Sequence, residues 1–486
     1  MKALLLPLLL GAAGVSAQDQ PPGHYHVAID DAAGVARVTA TLVMKSNVLA
    51  MYNVVRVPGL PDGQASLIAD LQVRDAAGAA VAHRDLGGGD FEIDSAGAIE
   101  LSYTVLLEHD QHTWPFGVEE VAYRTPEGLM STGYALFLAD ATDQGAGPYE
   151  VSFDLPEGWH AHTPWERIGD EPRFRVATRR DLLVNALFLG RAHTETIDAG
   201  GLELTLVLGA PYVASRHLFV DLLRAQADSY SELFGAPPLT DRFLVIVNRS
   251  ALSDGGAFAG SFSQVIEGDA SEANRVVWGV AMAHELLHFW NGLALVPADD
   301  REEWFKEGAT DYLTTATMAR NGLLDRGLVH KRIELLPARV IFARYGQGLS
   351  MSVRTAGADK QANRQLIYGG GAVAALALDV ELRRRSQDRV GLPDLMRTLY
   401  AAHVPARTGY TLDDIARTAG KLTGTDFTDF LAGVVESNSV YDLRPALREL
   451  GLRLDQFFDE AYVSSDPRAT PAQRGRCAAI FGPASC

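Results

Sequence analysis

The pattern of apolar and polar residues divides the chain into two parts. Between residue 24 and about residue 208, short segments alternate apolar and polar residues, which is typical of half-buried β-strands. The clearest is IELSYTVLL, which places on one face Ile99, Leu101, Tyr103, Val105 and Leu107. Turn-forming clusters such as LGGGD and LPEGW separate these segments. Many short strands of this kind predict a β-sandwich.

The second part has the apolar spacing of helices. The segment SRHLFVDLLRAQADSYSELFG has helical periodicity and ends in Gly235. A short apolar strand, RFLVIVN, follows at 242–248, and nearly every segment after residue 271 is predicted to be helical. We therefore predict a multidomain α+β protein with a β-sandwich domain at 18–210, a mostly helical domain at 211–455 and a C-terminal tail at 456–486.

The N-terminus has the pattern of a secretory signal peptide. Lys2 precedes a short apolar run, and small residues follow up to Ala17. This pattern predicts a signal peptide at 1–17 and export to a periplasm or to the medium. The apolar run is too short to span a bilayer, and no later segment has about 18 uninterrupted apolar residues. We therefore expect no membrane insertion.

Composition excludes two classes of function. The formal net charge is −18, with 61 acidic and 43 basic residues, which argues against a nucleic acid partner. The two cysteines, Cys477 and Cys486, lie in the last ten residues, so a thiol protease with an internal nucleophile is excluded. An exported protein can keep a disulfide between them. The alternative is two free thiols in the tail.

The segment AMAHELLHFWNG, residues 281–292, places ionisable groups in an otherwise apolar helix. His284 and His288 are four residues apart, so both imidazoles lie on one helix face and can reach one small cation. Zinc binds such nitrogens at about 2.0–2.1 Å. Glu285 lies beside that face, where it can accept a proton from water. The spacing predicts the H-E-x-x-H site of a zinc hydrolase.

A catalytic zinc site needs a third protein ligand and one open position. The next predicted helix, EEWFKEGATDYL, supplies Glu307, with 18 residues between it and His288. Asp311, one turn later, is predicted to accept the outer N–H of a ligand histidine. Asn291 is a second candidate for such a supporting role. We expect a single Zn²⁺.

These residues resemble the gluzincin metallopeptidases. HELLHFWN and WFKEGATDYL are most similar to the glycyl aminopeptidase family, which often carries a PDZ domain, and LIYGGGAVAALALDVELRRRS is similar to that family's Tyr-x-Lys-Gly-Ala helix start. WPFGVEEVAY and LPEGW fit its N-terminal β domain. The resemblance implies a thermolysin-like catalytic domain and cleavage of N-terminal Gly or Ala from peptides. It also implies roles for five residues: His284, His288 and Glu307 as zinc ligands, Glu285 as general base and Tyr368 as the group that stabilises the oxyanion.

The sequence departs from the family pattern in three respects. The family has Gly-Leu-Glu-His upstream of the metal helix, and its acidic residue holds the substrate's amino terminus. Here Ala257, Phe258 and Ala259 follow Gly256, which leaves Asp254 or Glu267 as candidate substitutes. The family's lysine after the tyrosine is Gly370. The remaining chain is too short for a PDZ domain, so no PDZ-mediated partner is expected.

We therefore expect an exported zinc metallopeptidase whose partner is a peptide substrate and which removes small N-terminal residues. The first alternative is a zinc endopeptidase that does not recognise the amino terminus. The second is a non-catalytic binding protein that retains zinc. Two further histidine pairs, His109 with His112 and His160 with His162, are interpreted as packed or surface residues.

Overall fold

The structure is a computed structural model that describes residues 23–94, 97–115, 117–142, 147–457 and 460–486. The predicted signal peptide at 1–17 lies outside the described residues. The described chain has a sheet-rich N-terminal domain followed by a mostly helical domain, which confirms the predicted fold class.

Three sheets build the N-terminal domain. A seven-stranded sheet has the order β13-β14-β11-β1-β2-β7-β4, and two four-stranded sheets have the orders β10-β3-β6-β5 and β12-β15-β9-β8. The strand bounds are β1 Gly23–Asp30, β2 Val35–Met44, β3 Val48–Met51, β4 Ile68–Asp75, β5 His83–Gly87, β6 Asp90–Ile93, β7 Gly97–Leu106, β8 Ala122–Thr125, β9 Gly128–Thr132, β10 Leu138–Asp140, β11 Tyr149–Asp154, β12 His160–His162, β13 Glu166–Arg167, β14 Arg173–Val176 and β15 Ala186–Gly190.

The alternation of residues determines which face of the large sheet is buried. Strand β7 buries its apolar positions, with Leu101, Tyr103 and Val105 each at most 3% exposed. Its neighbour β2 alternates in the same way along its length. Because successive side chains of a strand point to opposite faces, the apolar set of each strand packs into one core. A short helix, α1 (Arg179–Leu183), follows β14 and precedes β15.

The second sheet begins before residue 210, the predicted boundary between the domains. Strands β16 (His193–Ala199) and β17 (Leu202–Leu208) belong to a second sheet with β18 (Arg242–Ser250), β19 (Asp254–Ala257) and β20 (Ser261–Glu267). The order of this sheet is β16-β17-β18-β20-β19, and β19 is its antiparallel edge. Period-two alternation identifies a strand but not the sheet that it joins, so β16 and β17 could not be assigned from the pattern alone.

Helices cover this second sheet and form the rest of the domain. Their bounds are α2 Arg216–Phe234, α3 Arg275–Leu287, α4 Glu303–Arg320, α5 Arg326–Ile341, α6 Arg364–Ser386, α7 Leu392–His403, α8 Leu412–Thr423, α9 Thr428–Leu431 and α10 Arg444–Glu449. Helix α6 is long and apolar enough to cross a membrane, but 83% of its apolar window is buried inside the protein. It is the central helix of the core.

Helices α4 and α6 approach each other closely at two glycines. A Cβ atom added to Gly308 would lie 2.1 Å from the backbone carbonyl carbon of Gly371. No side chain fits there, so glycine is required for the two backbones to pack. A Cβ at Gly370 already meets a Val353 methyl at 2.7 Å. A side chain at residue 370 would therefore require Val353 to move.

The predicted tail at 456–486 is folded in its described residues, 456–457 and 460–486. Strands β21 (Leu452–Phe457) and β22 (Glu460–Ser465) form a hairpin, and helix α11 (Pro471–Phe481) packs on α4. The segment is rich in polar residues, but Cys477, Ile480 and Phe481 are spaced to lie on one helix face and are buried. Cys477 and Cys486 are joined in a disulfide.

Replacement of Phe481 with Ala should destabilise the helical domain by about 3–5 kcal/mol, because it removes a fully buried aromatic side chain. The Phe481 ring packs edge-on against Tyr312, with centroids 6.3 Å apart. The measurement is the urea midpoint followed by tryptophan fluorescence. As a control, Tyr345→Ala removes an aromatic ring that is 80% exposed and should change stability by less than about 0.5 kcal/mol. Equal midpoints for both variants would show that α11 does not belong to the cooperative core.

Candidate metal centre and cleft

Helix α3 presents the predicted metal-binding residues at its C-terminal end. Trp278, Met282 and Leu286 are buried in the core beneath it. His284 is only 6% exposed, and His288 is the residue that ends the helix. The two imidazole rings are nearly perpendicular, with centroids 4.7 Å apart. The helix therefore aims both rings at the same small volume.

Glu307 from α4 completes a triangle of ligand atoms. The Nε2 atoms of His284 and His288 are 3.0 Å apart. Glu307 Oε2 lies 3.3 Å from the first and 3.2 Å from the second. A tetrahedral zinc ion with ligands at about 2.0–2.1 Å separates its ligand atoms by about 3.3 Å. The triangle therefore has the dimensions that a zinc ion requires.

The hydrogen bonds around the triangle favour a cation at its centre. His288 Nδ1 donates to the carbonyl of Asn291 at 2.8 Å, which leaves the Nε2 lone pair facing the other two atoms. A neutral imidazole nitrogen and a carboxylate oxygen are both acceptors, so they repel at this distance unless a positive charge lies between them. Two imidazoles and one carboxylate are a set of metal ligands that zinc prefers.

Two lysines hold the other oxygen of Glu307. Its Oε1 atom lies 2.5 Å from Lys360 Nζ and 3.4 Å from Lys306 Nζ. Burial by itself raises the pKa of Glu307, but His288, His284 and Lys360 together hold the pKa well below its ordinary value. The carboxylate is therefore ionised, with one oxygen directed at the histidines and the other at the lysines.

Asp311 and Asn291 both lie next to the triangle, but only the Asp311 side chain approaches a histidine ring. Asp311 Oδ1 is 3.9 Å from His284 Nδ1, and the carboxylate pairs with Arg332 and Arg339. Although burial raises the pKa of Asp311, these arginines lower it overall. The Asn291 side chain does not face a histidine. It donates to the Lys306 carbonyl and the Thr310 hydroxyl, and so fastens the end of α3 to α4.

Tyr368 lies in the first turns of α6, and its ring stacks on that of His284 at a centroid distance of 5.8 Å. Burial, followed by the negative charges of Glu307 and Glu285, raises the pKa of Tyr368 well above its ordinary value. The phenol therefore stays protonated and can donate a hydrogen bond into the cleft. Glu285 lies beside the metal triangle, with Oε2 3.9 Å from His288 Nε2.

Two adjoining cavities meet at Glu285. One, of about 410 Å³, lies on the His288 side between the two domains. The other, of about 370 Å³, lies on the His284 side and is bordered by Arg332 and Arg339. Both cavities are lined by the same five residues: Asp254, Gly255, Glu285, Arg364 and Tyr368. An extended peptide can therefore occupy the cleft on both sides of Glu285.

Two of the acidic residues that border the cleft are Asp254, which the sequence offers as a candidate, and Glu120, which no local pattern predicts. Asp254 borders both cavities, whereas Glu267, the other candidate for amino-end recognition, borders neither. Glu120, from a turn of 3₁₀ helix at Val118–Glu120 in the N-terminal domain, borders the larger cavity. The segment GVEEVAY, which contains Glu120, belongs to the part of the chain predicted to form the β domain. Its position beside the metal helix depends on how the domains pack, which no local pattern reveals.

The remaining histidine pairs do not join the centre. Burial lowers the pKa of His109 to about 4 and the pKa of His162 to about 4. Within the described residues, His284, Glu285 and His288 also offer ligand atoms within 4.8 Å of one another. Glu285 is farther from His288 than Glu307 is, since Glu285 Oε2 lies 3.9 Å from His288 Nε2 and Glu307 Oε2 lies 3.2 Å from the same atom.

Comparison with known proteins supports a peptidase fold. Residues 24–185 match the family model described as Peptidase M61 N-terminal domain. No curated protein matches the sequence significantly. Among solved structures, an aminopeptidase N family protein from Idiomarina loihiensis is similar, with a TM-score of 0.75, 20% identity, and coverage of 89% of this chain and 79% of that chain.

A two-domain M1 zinc metallopeptidase has a similar but more distant structure. A glutamate-to-alanine mutant from Deinococcus radiodurans bound to a Tyr-Ser-Ala substrate has a TM-score of 0.54 and 14% identity, and the match covers 87% of this chain and 94% of that chain. A mutant bound to L-arginine gives the same values. The chain therefore has the two-domain fold of these metallopeptidases.

Replacement of Glu307 with Gln should weaken zinc binding by more than about 100-fold, because it removes the anionic ligand. Loss of a residue that only hydrogen-bonds to a metal ligand already lowers metal affinity by about 10–100-fold. The measurement is competition with a chromogenic chelator. Glu303→Gln is the matched control, since Glu303 pairs with the same Lys306 at 3.1 Å but does not face the histidines. A Glu307→Gln protein with the zinc affinity of the control would contradict the assigned ligand set.

Proposed function

We propose that the protein is an exported zinc-dependent peptidase that removes small residues from the amino end of peptides. The observation that carries this proposal is the convergence of His284, His288 and Glu307 beside Glu285, in a cleft open on both sides. The match to a peptidase N-terminal domain and the two-domain metallopeptidase fold support it. The proposed export rests on the signal-peptide pattern at residues 1–17.

The side chains around the centre have the chemistry that peptide hydrolysis needs. A zinc ion bound there would act as a Lewis acid and lower the pKa of a bound water to about 7. In this proposal the Glu285 carboxylate accepts a proton from the attacking water and passes it to the leaving amine. The protonated Tyr368 hydroxyl donates to the carbonyl oxygen as negative charge develops on it.

Two observations support the proposed preference for the amino end of a peptide. One is the description of a structurally similar protein, and the other is the set of charged residues that border the cleft. The Idiomarina loihiensis neighbour is described as an aminopeptidase N family protein. In the present chain, the cavity on the His288 side is bordered by four cationic side chains, those of Arg180, Lys306, Lys360 and Arg364, and by the carboxylates of Glu120, Asp254, Glu285 and Glu307. Glu120 and Asp254, which lie outside the metal triangle, are the carboxylates there that could pair with a cationic group. A free amino terminus is the cation that a peptide carries at that end.

Replacement of Glu285 with Gln should leave zinc bound and lower kcat by about 10²–10⁴-fold, because the amide cannot accept the proton. The measurement is hydrolysis of alanyl and glycyl p-nitroanilides by the zinc-loaded protein, with zinc content determined in parallel. Glu272→Gln, at an exposed position, is the control and should hydrolyse both at the wild-type rate. Hydrolysis at a near-normal rate by Glu285→Gln would exclude this role, and a wild-type protein inactive on a broad peptide library would favour the non-catalytic alternative.

Replacement of Tyr368 with Phe should lower kcat by about 10²–10³-fold with little change in KM, because the lost hydroxyl interacts mainly with charge that develops in the transition state. Steady-state kinetics with the same anilides measure this separation. Tyr345→Phe removes an exposed hydroxyl and serves as the control. A change confined to KM would assign Tyr368 to substrate binding instead.

A further inference from the structure

The cavity on the His284 side is bordered by apolar side chains from one part of the domain and by arginines from another. The apolar residues, from β20 and α3, are Phe262, Val276, Val277, Val280 and Ala281. The arginines, from α5 and α6, are Arg332, Arg339 and Arg364. The carboxylates that border the cavity are those of Asp254, Glu285 and Asp311. What this cavity binds therefore depends on which of its arginines already have an acidic partner.

Two of the arginines share a single carboxylate. Arg332 donates to Asp311 Oδ1, and Arg339 Nη1 donates to Asp311 Oδ2 at 3.2 Å. The Arg332 side chain is 10% exposed, whereas the Arg339 side chain is 25% exposed. Arg339 makes no other hydrogen bond with a described residue, so the rest of its guanidinium N–H groups are available to a ligand. Two arginines on one carboxylate leave one positive charge in excess.

Arg364 has no acidic partner among the described residues. It is the first residue of α6, it is exposed, and it borders both cavities of the cleft. Its guanidinium lies over the Tyr368 ring, 6.0 Å from the ring centroid, and forms no ion pair or hydrogen bond with any described residue. The first turn of a helix also carries the positive end of the helix dipole, which favours a negative charge nearby.

The packing of α5 on α6 brings Arg339 and Arg364 near each other. A Cβ atom added to Gly369 would lie 2.6 Å from Arg339 Cβ, so this glycine lets the two helices approach closely at that point. Burial lowers the pKa of Arg339, Asp311 opposes that shift, and the charges of Arg332 and Arg364 add to it. Arg364 is therefore close enough to repel Arg339, and an anion between the two guanidiniums would be attracted by both.

The proposed function determines which part of a peptide lies in this cavity. If the amino end occupies the cavity on the His288 side, the residue that follows the scissile bond lies on the His284 side, because the two cavities meet at Glu285. That residue carries the C-terminal carboxylate of a dipeptide. In a longer peptide it carries a carboxylate when its side chain is acidic. Either group is planar and can accept two parallel hydrogen bonds from a guanidinium.

We propose that Arg364 and Arg339 bind a carboxylate carried by the residue that follows the scissile bond. The inference rests on the proposed peptidase function, because that function places this residue in the cavity on the His284 side. The substrates selected in this way are dipeptides or peptides with an acidic second residue. The apolar side chains of α3 on the opposite side of the cavity pack against the uncharged part of the same residue.

The experiment measures binding, so it does not depend on turnover. Zinc-loaded full-length Glu285→Gln protein is titrated calorimetrically with two pairs of peptides. Ala-Ala and its C-terminal amide test the C-terminal carboxylate, and the C-terminal amides of Ala-Asp and Ala-Asn test an acidic side chain. The peptide with the carboxylate should bind about 10- to 100-fold more tightly than its neutral partner in at least one pair, because a carboxylate accepts charge-assisted hydrogen bonds from the arginines.

Arg364→Gln and Arg339→Gln, each added to Glu285→Gln, should lower that preference by at least about 10-fold and leave the affinity for the neutral peptide nearly unchanged. The matched control is Arg326→Gln. Arg326 is the exposed first residue of α5 and borders neither cavity, so the preference should persist. Zinc content is measured for every variant.

The proposal is overturned if neither carboxylate is preferred, or if Arg364→Gln or Arg339→Gln keeps the full preference, as it would if the carboxylate bound the metal instead. It is also overturned if Arg326→Gln loses the preference to the same extent. Hydrolysis of alanyl p-nitroanilide by the wild-type protein tests the peptidase function separately, since this substrate has no carboxylate. Cleavage of the anilide without a carboxylate preference would retain the peptidase function and exclude this inference, and selective binding without cleavage would do the reverse.

Discussion

The convergence of three ligand atoms on one small, largely buried volume is the constraint on which the rest of the site depends. The Nε2 atoms of His284 and His288 and the Oε2 atom of Glu307 lie within 3.3 Å of one another, and little water reaches them. When both imidazoles are neutral, acceptor atoms converge in a medium of low polarity, which is unfavourable unless a proton or another cation lies between them. The surrounding fold must therefore hold the three side chains in place, and a metal ion bound there would attract all three.

The supports are distributed over four helices. Asn291 fastens the end of α3 to α4 through the Lys306 carbonyl and the Thr310 hydroxyl. The glycine contact between α4 and α6 brings the backbones together just beside Glu307 and one turn from Tyr368. From α5, Arg332 and Arg339 neutralise Asp311 behind His284. Each of these contacts fixes one edge of the site, so the ligand geometry is a property of the packed domain and not of the α3 motif alone.

Local patterns predicted what depends on one helix or one strand. The four-residue spacing of the histidines and the distance along the chain to Glu307 were sufficient to predict residues that the structure brings together. Interactions between distant segments were not accessible in that way. Alternation predicts the strands β16 and β17 but does not specify the strand with which each pairs, so their sheet could not be predicted from it. Only three apolar side chains bury α11, so the polar pattern of the last 30 residues predicts a tail. Glu120 has no local signal either, because its position in the cleft depends on the contact between the domains.

The proposed division of labour between the domains has a consequence for the cleft. In the proposed function, the helical domain contributes the three side chains that would hold zinc, together with Glu285 and Tyr368, which would carry out the hydrolysis of an amide bond. The N-terminal domain contributes Glu120 to the lining of the cleft, beside the edge strand β19. A Cβ atom at position 256 would lie 2.5 Å from Glu120 Cγ, so a larger residue there would require the Glu120 side chain to move. The absence of an acidic residue from the strand and the presence of one in the turn are two aspects of the same packing arrangement.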